Sequence, residues 1–178
     1  MLQKSSMSHV IEVFFIEPSK EHYLMDISRN TTIAHTSVKS NLLKLVKQGI
    51  ITQQSQKKGK RNFPVYKANK ENKEFYMYKM LYNLTSLLDS GLIKYLEEKL
   101  APKAIVLFGS YRRGEDTEDS DIDLFIEGIE EKLDFSNFEK KLKRKIELHI
   151  KKNFTAYPTE LKNNIINGIV LHGFLEGY

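Results

Sequence analysis

Hydrophobic residues in the first fifty positions recur with helical spacing and are separated by short polar stretches. In the third apolar segment, Val38 is followed by apolar side chains at i+4, i+7 and i+8, as expected for one buried helix face. Thr36 is the expected N-cap of this helix, and Gly49 is its expected C-terminal stop. The pattern predicts three helices, over residues 8–16, 23–29 and 35–48.

A β-hairpin is predicted after the third helix. Two short apolar runs, residues 50–52 and 64–69, are separated by a polar stretch that contains Gly59. We expect the runs to form two strands and the polar stretch to form a charged turn. The basic residues of this turn are Lys57, Lys58, Lys60 and Arg61.

Residues 70–100 contain no proline and predict two helices, of which the second is ended by Pro102. Between residues 75 and 88 the first helix is apolar on more than one side. Such a helix must be covered by other protein surface, either by both domains or by a second copy of the chain. We predict a homodimer formed largely through this helix.

The last part of the chain predicts a sheet. Residues 103–108 form a continuous apolar run, which is typical of a strand buried on both faces. A polar turn region follows, and then a second strand over residues 122–126. In a third strand, over residues 145–150, Glu147 and His149 share one face because strand side chains alternate.

Two aspartates stand at the start of the second of these strands. Asp121 and Asp123 are one residue apart, so we expect both side chains on one face, where their charges repel unless a cation binds. Mg²⁺ accepts carboxylate oxygens and keeps positions for phosphate. Glu147 is the expected third acid of a two-metal site. We interpret His149, beside it, as a structural histidine with satisfied hydrogen bonds.

A small polar group follows the first strand of this sheet directly. Gly109 allows the backbone to approach a ligand closely, and Ser110 offers a hydroxyl and an N–H to a phosphate. Arg112 and Arg113 are expected to neutralise further phosphate charge. Together with the acids, these residues favour a nucleoside triphosphate as substrate. They leave the base open, and ATP is our expectation among the NTPs.

Composition narrows the class of protein. The 178 residues suit one large domain or two small ones, and 40% of them are hydrophobic. The sequence has no cysteine, which excludes disulfides and thiolate metal sites. No apolar run approaches the ~20 residues of a membrane span, so we expect a cytoplasmic protein with no membrane partner.

Charge divides the chain into a basic front and a mildly acidic remainder. Residues 1–70 carry 12 Lys and Arg against 4 Asp and Glu. The order helix, helix, helix, hairpin in this region resembles the winged helix-turn-helix family. The resemblance implies double-stranded DNA as a partner, with the third helix in the major groove and the basic wing along phosphates. The expected DNA-binding residues are Lys39, Lys44, Lys47, Lys57, Lys58, Lys60 and Arg61.

A second resemblance covers about residues 90–178. Gly109-Ser110, ten residues, and then Asp121-Ile122-Asp123 is similar to the signature of the DNA polymerase β nucleotidyltransferase superfamily. The stretch "GSYRRGEDTEDSDIDLFI" resembles the minimal nucleotidyltransferases in particular. This implies a mixed sheet with helices on one side, and transfer of a nucleoside monophosphate from an NTP. It also implies that Asp121, Asp123 and Glu147 are catalytic and hold two Mg²⁺ ions.

The same resemblance implies a class of partner. Members of this family often act as antitoxins that adenylylate a tyrosine of a HEPN-type toxin. This chain departs from the pattern by having Glu147 where Asp is usual and by having a fused front domain, which leaves the acceptor open. The alternatives are a DNA-binding transcriptional regulator that senses nucleotide and an antitoxin that grips a partner.

The combined expectation is an α+β protein in three parts. Residues 1–68 are expected to form a winged helix-turn-helix DNA-binding domain, and residues 69–100 a helical linker or interface. Residues 101–178 are expected to form a minimal nucleotidyltransferase domain with a mixed sheet and helices.

Overall fold

A computed structural model of the chain describes residues 5–152, 154 and 158–176, and it leaves the side chain of Lys58 undescribed. The chain divides into two compact units, Met1–Lys79 and Met80–Tyr178. The division falls within a single long helix, at residues 73–90. Each unit has its own sheet.

Three helices form the apolar part of the first unit. Their apolar stripes meet in a core that contains Val10, Phe14, Ile27, Val38 and Leu42, all fully buried. The prediction of Thr36 as the N-cap of the third helix was wrong. The helix begins at His35, and its N-cap is Ala34. The helices are α1 (Ser6–Ile16), α2 (Leu24–Thr31) and α3 (His35–Lys47).

The sheet of the first unit has three antiparallel strands in the order β1-β3-β2. These strands are β1 (His22–Tyr23), β2 (Ile51–Lys58) and β3 (Arg61–Ala68). The sequence did not predict β1, and it wrongly assigned most of the polar stretch to a turn. The ribbon remains paired out to Lys58 and Arg61, because a two-residue turn with Gly59 at φ +62° closes it.

Two helices follow, α4 (Lys73–Ser90) and α5 (Leu92–Leu100). The buried stripe of α4 contains Phe75, Lys79, Asn83 and Leu87, at a regular spacing of four residues. Two of these four side chains are polar, which an apolar pattern does not predict. A second stripe of α4 is exposed and apolar, and it consists of Met77, Tyr78, Leu81 and Leu88.

The second unit contains a four-stranded mixed sheet, in agreement with the predicted class of sheet. Its strand order is β6-β5-β4-β7, with β5 and β6 parallel and the other pairs antiparallel. All five residues of β4 are buried, as the continuous apolar run predicted. The strands are β4 (Ala104–Phe108), β5 (Ile122–Glu127), β6 (Ile146–Lys151) and β7 (Ile169–Gly173).

Three further helices connect these strands: α6 (Gly109–Arg113), α7 (Ser136–Leu142) and α8 (Thr159–Ile166). The sequence predicted a polar turn directly after Ser110, but the chain forms α6 there and ends it at Gly114, which has φ +71°. Helix α7 follows β5 and precedes β6 in the chain, and it forms part of the crossover connection that two parallel neighbouring strands need.

Apolar side chains cover both faces of this sheet. One cluster joins Ile105, Leu107, Ile122 and Leu124 to α5, with α7 packed against it. On the opposite face, Val106, Phe108 and Phe125 pack with Phe154 and with Ile165 of α8. The implied arrangement with helices on one side was therefore wrong for α8. Within the described residues, every helix is too short or too polar to cross a membrane.

Candidate functional site

The turn from β4 into α6 brings backbone against an acidic side chain. Phe108 of β4 pairs with Asp123 of β5, so the next residue, Gly109, lies against the aspartate. Gly109 has φ +73°, and a Cβ at this position would overlap Oδ2 of Asp123 and lie 2.9 Å from its Cγ. The sequence attributed this glycine to close approach of a ligand. The structure shows that it makes room for the Asp123 carboxylate itself.

Parallel pairing of β5 with β6 brings a second acid beside the first. Asp123 is in register with Glu147, and Phe125 is in register with His149. One possible ligand atom each from Asp123, Glu147 and His149 lies within 4.8 Å of the other two. The three leucine and isoleucine positions of β6 pack on the opposite face, as strand alternation predicted.

His149 is the member of this group that the sequence placed on the same strand face as Glu147, where it could line the site, but that we interpreted as structural. Its Nε2 lies 3.7 Å from Oδ1 of Asp123 and 3.7 Å from Oε1 of Glu147. This nitrogen is buried and has no hydrogen-bond partner in the described part of the chain. The interpretation of His149 as a satisfied structural histidine was therefore wrong. The available signal was its position on the same strand face as Glu147.

Asp121 lies one residue before β5 and, within the described ranges, does not belong to the close group of three. It lies instead in the wall of a cavity of about 650 Å³. Its charge still affects Asp123, as described next. The cavity is lined by residues 118–121, Ser136, Glu139, Lys140 and residues 143–145.

The electrostatic state of Asp123 reflects its partial burial. Its side chain is 24% exposed, whereas that of Glu147 is 55% exposed. Burial raises the pKa of Asp123 above its usual range. His149 lowers this pKa, and the carboxylates of Glu147 and Asp121 raise it. A cation at this position would relieve the repulsion among these acids.

The residues of α6 differ in how accessible they are to an anion. Ser110 and Arg112 are both partly buried. The buried Nε of Arg112 has no hydrogen-bond partner among the described residues. Arg113, in contrast, is exposed and its Nε donates to Oε2 of Glu115 at 2.6 Å. Arg112 therefore has a buried, unsatisfied donor, whereas Arg113 is already paired with Glu115.

A buried polar network holds the loop between α6 and β5. Asp116 is 1% exposed and accepts hydrogen bonds from Asn83 Nδ2 at 2.7 Å and from Arg144 Nε at 3.2 Å. Asn83 Nδ2 also donates to the backbone oxygen of Tyr111 at 2.9 Å. The network ties α4, this loop and the segment before β6 together. No sequence pattern predicts this network, because Asp116 lies in a polar stretch.

The donor set fits a divalent cation. Asp123 and Glu147 supply carboxylate oxygens, and His149 supplies a buried nitrogen that lacks a partner. Gly109 leaves the space in which the Asp123 carboxylate is held. The predicted acids thus fall into two sets: Asp123 and Glu147 lie together, and Asp121 lies in the wall of the cavity.

The predicted DNA-binding residues belong to the first unit. Lys39, Lys44 and Lys47 are exposed on α3. Lys57, Lys60 and Arg61 are exposed at the tip of the β2–β3 ribbon. Lys58 belongs to β2, and its side chain lies outside what the structure describes.

Comparison with known proteins shows what the second unit is similar to. Residues 90–172 match the family model described as "Nucleotidyltransferase domain". This range contains β4 through most of β7, together with Gly109, Ser110, Asp121, Asp123 and Glu147. The part of the chain that carries the candidate site is thus similar to nucleotidyltransferases over its whole sheet.

One curated relative and one solved structure were also found. The relative, "Putative protein adenylyltransferase MJ1379" from Methanocaldococcus jannaschii, is 59% identical over 34 residues. This match covers 19% of the chain and 34%, about a third, of the relative. The family match and the relative's name both support a nucleotidyltransferase enzyme. The solved structure, described as "Possible transcriptional regulator from Methanosarcina mazei Go1", has 19% identity and a TM-score of 0.38, covering 55% of the chain and 79% of that structure.

Proposed function

We propose that the second unit transfers a nucleoside monophosphate from an NTP to an acceptor hydroxyl. The observation that carries this proposal is the pairing of Asp123 with Glu147 next to Gly109 and Ser110, inside the matched range. In this reaction the acceptor oxygen bonds to the α-phosphorus, and the bond from that phosphorus to the bridging oxygen breaks. Pyrophosphate leaves, and the acceptor proton is lost to solvent.

The residues of the site have separate tasks in this proposal. Ser110 and the free Nε of Arg112 bind the triphosphate, because both are donors at the end of β4. Asp123 and Glu147 hold Mg²⁺, and Asp121 contributes from the cavity side. Bound Mg²⁺ supplies Lewis-acid stabilisation of the charge that develops on the phosphate oxygens. Arg113 is a further phosphate contact in this proposal, and its ion pair with Glu115 must break before it can bind the phosphate.

The relative's name supports a protein as acceptor and ATP as nucleotide, since protein adenylylation attaches AMP from ATP. A tyrosine hydroxyl of a HEPN-type partner remains a specific prediction within this proposal. The cavity beside Asp121 has a volume of about 650 Å³, and its wall contains both lysines and acids.

Transfer is tested with NTPs labelled on the α-phosphate, incubated with the full chain, Mg²⁺ and extract from the source cells. We expect label from ATP to enter a macromolecular product, and label on the γ-phosphate to appear only in pyrophosphate. Asp123→Asn should abolish transfer. Asp134→Asn is the matched control, because Asp134 is an aspartate of the same unit outside the site.

Transfer that continues unchanged in Asp123→Asn would refute the assignment of the site. If the wild-type chain binds Mg-ATP by calorimetry but labels nothing, the alternative of a nucleotide-sensing regulator or a partner-gripping antitoxin is favoured instead.

A second candidate function concerns the first unit, which we propose is a winged helix-turn-helix domain that binds double-stranded DNA. Three helices, a short strand and a two-stranded ribbon in the sheet order β1-β3-β2 support this reading. Exposed lysines on α3 and at the ribbon tip provide phosphate contacts. The division of the chain into three parts, with a helical linker at residues 69–100, stays a prediction.

DNA binding is tested by fluorescence anisotropy with duplex DNA at several salt concentrations. Replacing Lys57, Lys60 and Arg61 by Ala should weaken binding and reduce the salt slope by about 0.9 for each lost phosphate contact. The matched control replaces Lys94 and Lys99, exposed lysines of α5. An unchanged slope in the ribbon variant would remove the ribbon as a DNA contact.

We also propose a homodimer formed through α4. The exposed stripe of Met77, Tyr78, Leu81 and Leu88 runs along one side of this helix and supports the prediction. Light scattering of the wild-type chain is expected to give twice the monomer mass of 20.8 kDa. Leu81→Glu is expected to reduce the mass to that of one chain, and a monomeric wild type would refute the proposal.

A further inference from the structure

The candidate metal group combines two kinds of donor. Two carboxylates come from Asp123 and Glu147, and one imidazole comes from His149. The imidazole Nε2 is 3.7 Å from an oxygen of each carboxylate. This is beyond hydrogen-bond distance, which ends at about 3.2 Å for nitrogen and oxygen. It is within the ~4.2 Å that two metal–ligand bonds of ~2.1 Å can span.

Aromatic packing contributes to the orientation of the His149 ring. The ring meets Phe108 edge-on, with centroids 5.1 Å apart, and lies beside Phe125 in the strand register. Its Nε2 is buried and has no hydrogen-bond partner within the described residues. A buried polar atom without a partner is costly, and a coordinated cation would satisfy it.

The geometry points to His149 as a direct metal ligand that makes this site prefer a first-row transition metal ion over Mg²⁺, with Mn²⁺ as the paramagnetic probe of the ligand set. Imidazole nitrogen suits ions such as Fe, Ni and Zn, whereas Mg²⁺ is held by oxygen ligands and water. The inference rests on the proposed function, because it concerns the same site. It replaces a purely carboxylate ligand set with a mixed set in which one strand, β6, supplies both Glu147 and the nitrogen.

Electron paramagnetic resonance of Mn²⁺ with the full chain provides the test. Loss of the free-ion signal gives the Kd for Mn²⁺, and competition gives that for Mg²⁺. Pulsed measurements detect ¹⁴N coupling when an imidazole is bound to Mn²⁺. The variant is His149→Gln. The matched control is His172→Gln, because His172 lies on β7 of the same sheet with its Nδ1 3.0 Å from Oε1 of Glu97.

We expect ¹⁴N coupling in the wild type and in His172→Gln, and none in His149→Gln. The Kd for Mn²⁺ should rise about 10-fold or more in His149→Gln, the scale typical of a lost metal-site partner, with a smaller change for Mg²⁺. Absence of ¹⁴N coupling in the wild type would overturn the inference without any variant. Equal weakening of Mn²⁺ binding in both histidine variants would also overturn it.

The outcome is separable from that of the proposed function. Pyrophosphate release from ATP by the wild type, with no ¹⁴N coupling, would overturn the inference and leave the proposed function standing. Conversely, ¹⁴N coupling without nucleotide transfer to any acceptor would support His149 as a ligand and count against the transferase reaction.

Discussion

Replacing Gly109 by Ala tests the architecture of the site most directly. The new methyl group would overlap Oδ2 of Asp123, so the carboxylate must leave its present position in the group with Glu147 and His149. The backbone at this position also has φ +73°, which costs an alanine about 1–2 kcal/mol. The variant is therefore expected to lose both stability and function, for two separable reasons.

Gly91→Ala is the matched control for the first of these reasons. Gly91 has φ +85°, but nothing lies within 4 Å of a Cβ placed there. Both variants should lose a similar 1–2 kcal/mol of unfolding free energy, roughly 2–8 °C in Tm for a chain of this size. Any further effect in Gly109→Ala comes from displacement of the Asp123 carboxylate.

The assay measures pyrophosphate release and thermal unfolding for both variants. We expect Gly91→Ala to retain nearly full activity at a temperature where it is folded. Gly109→Ala should lose about 100-fold, the scale of an ångström-sized misplacement at a reacting centre. Equal activity of the two variants would refute the argument that this glycine positions Asp123.

Three further outcomes follow from the second unit. Asp116→Ala should cost about 3–5 kcal/mol in urea unfolding, because it leaves Arg144 buried without its charge partner; a loss below 1 kcal/mol would contradict this. A hydrogen bond from Lys145 lowers the pKa of Glu139 in the folded state. The ionised carboxylate therefore stabilises the fold above the unfolded-state pKa, and this stabilisation is lost as the pH falls. The difference in unfolding free energy between wild type and Glu139→Gln should therefore shrink between pH 7 and pH 3. Ser110→Ala should weaken ATP binding in calorimetry by about 1.5–3 kcal/mol and leave DNA binding unchanged, whereas equal loss of both would contradict separate sites.

Much of the fold could be predicted because its signals are local. The continuous apolar run identified β4, and alternation along β6 separated Glu147 from the apolar residues that pack in the core. The β2–β3 ribbon was predicted too short, since its polar residues pair through the backbone and bury little. Strand β1 was missed because two residues carry no periodicity.

The contents of the site were harder to predict than its location. Asp123 and Glu147 become neighbours through the register of two parallel strands, which the sequence does not state. Asp121 was expected on the same strand face as Asp123, but β5 begins one residue later, so alternation does not govern its direction. The burial of Asp116 depends on Asn83 and Arg144, which are distant in sequence.

The parallel register of β5 and β6 has a consequence for folding. Two of the candidate metal donors, Asp123 and Glu147, are 24 positions apart, and the crossover that contains α7 must close before they meet. A slip of one residue in this register would turn Glu147 and His149 to the opposite face of the sheet, toward the cluster that contains Ile122 and Leu124. An ion held between the two strands would therefore select the correct pairing, and part of its binding free energy would appear as protection of the β5–β6 amides from hydrogen exchange.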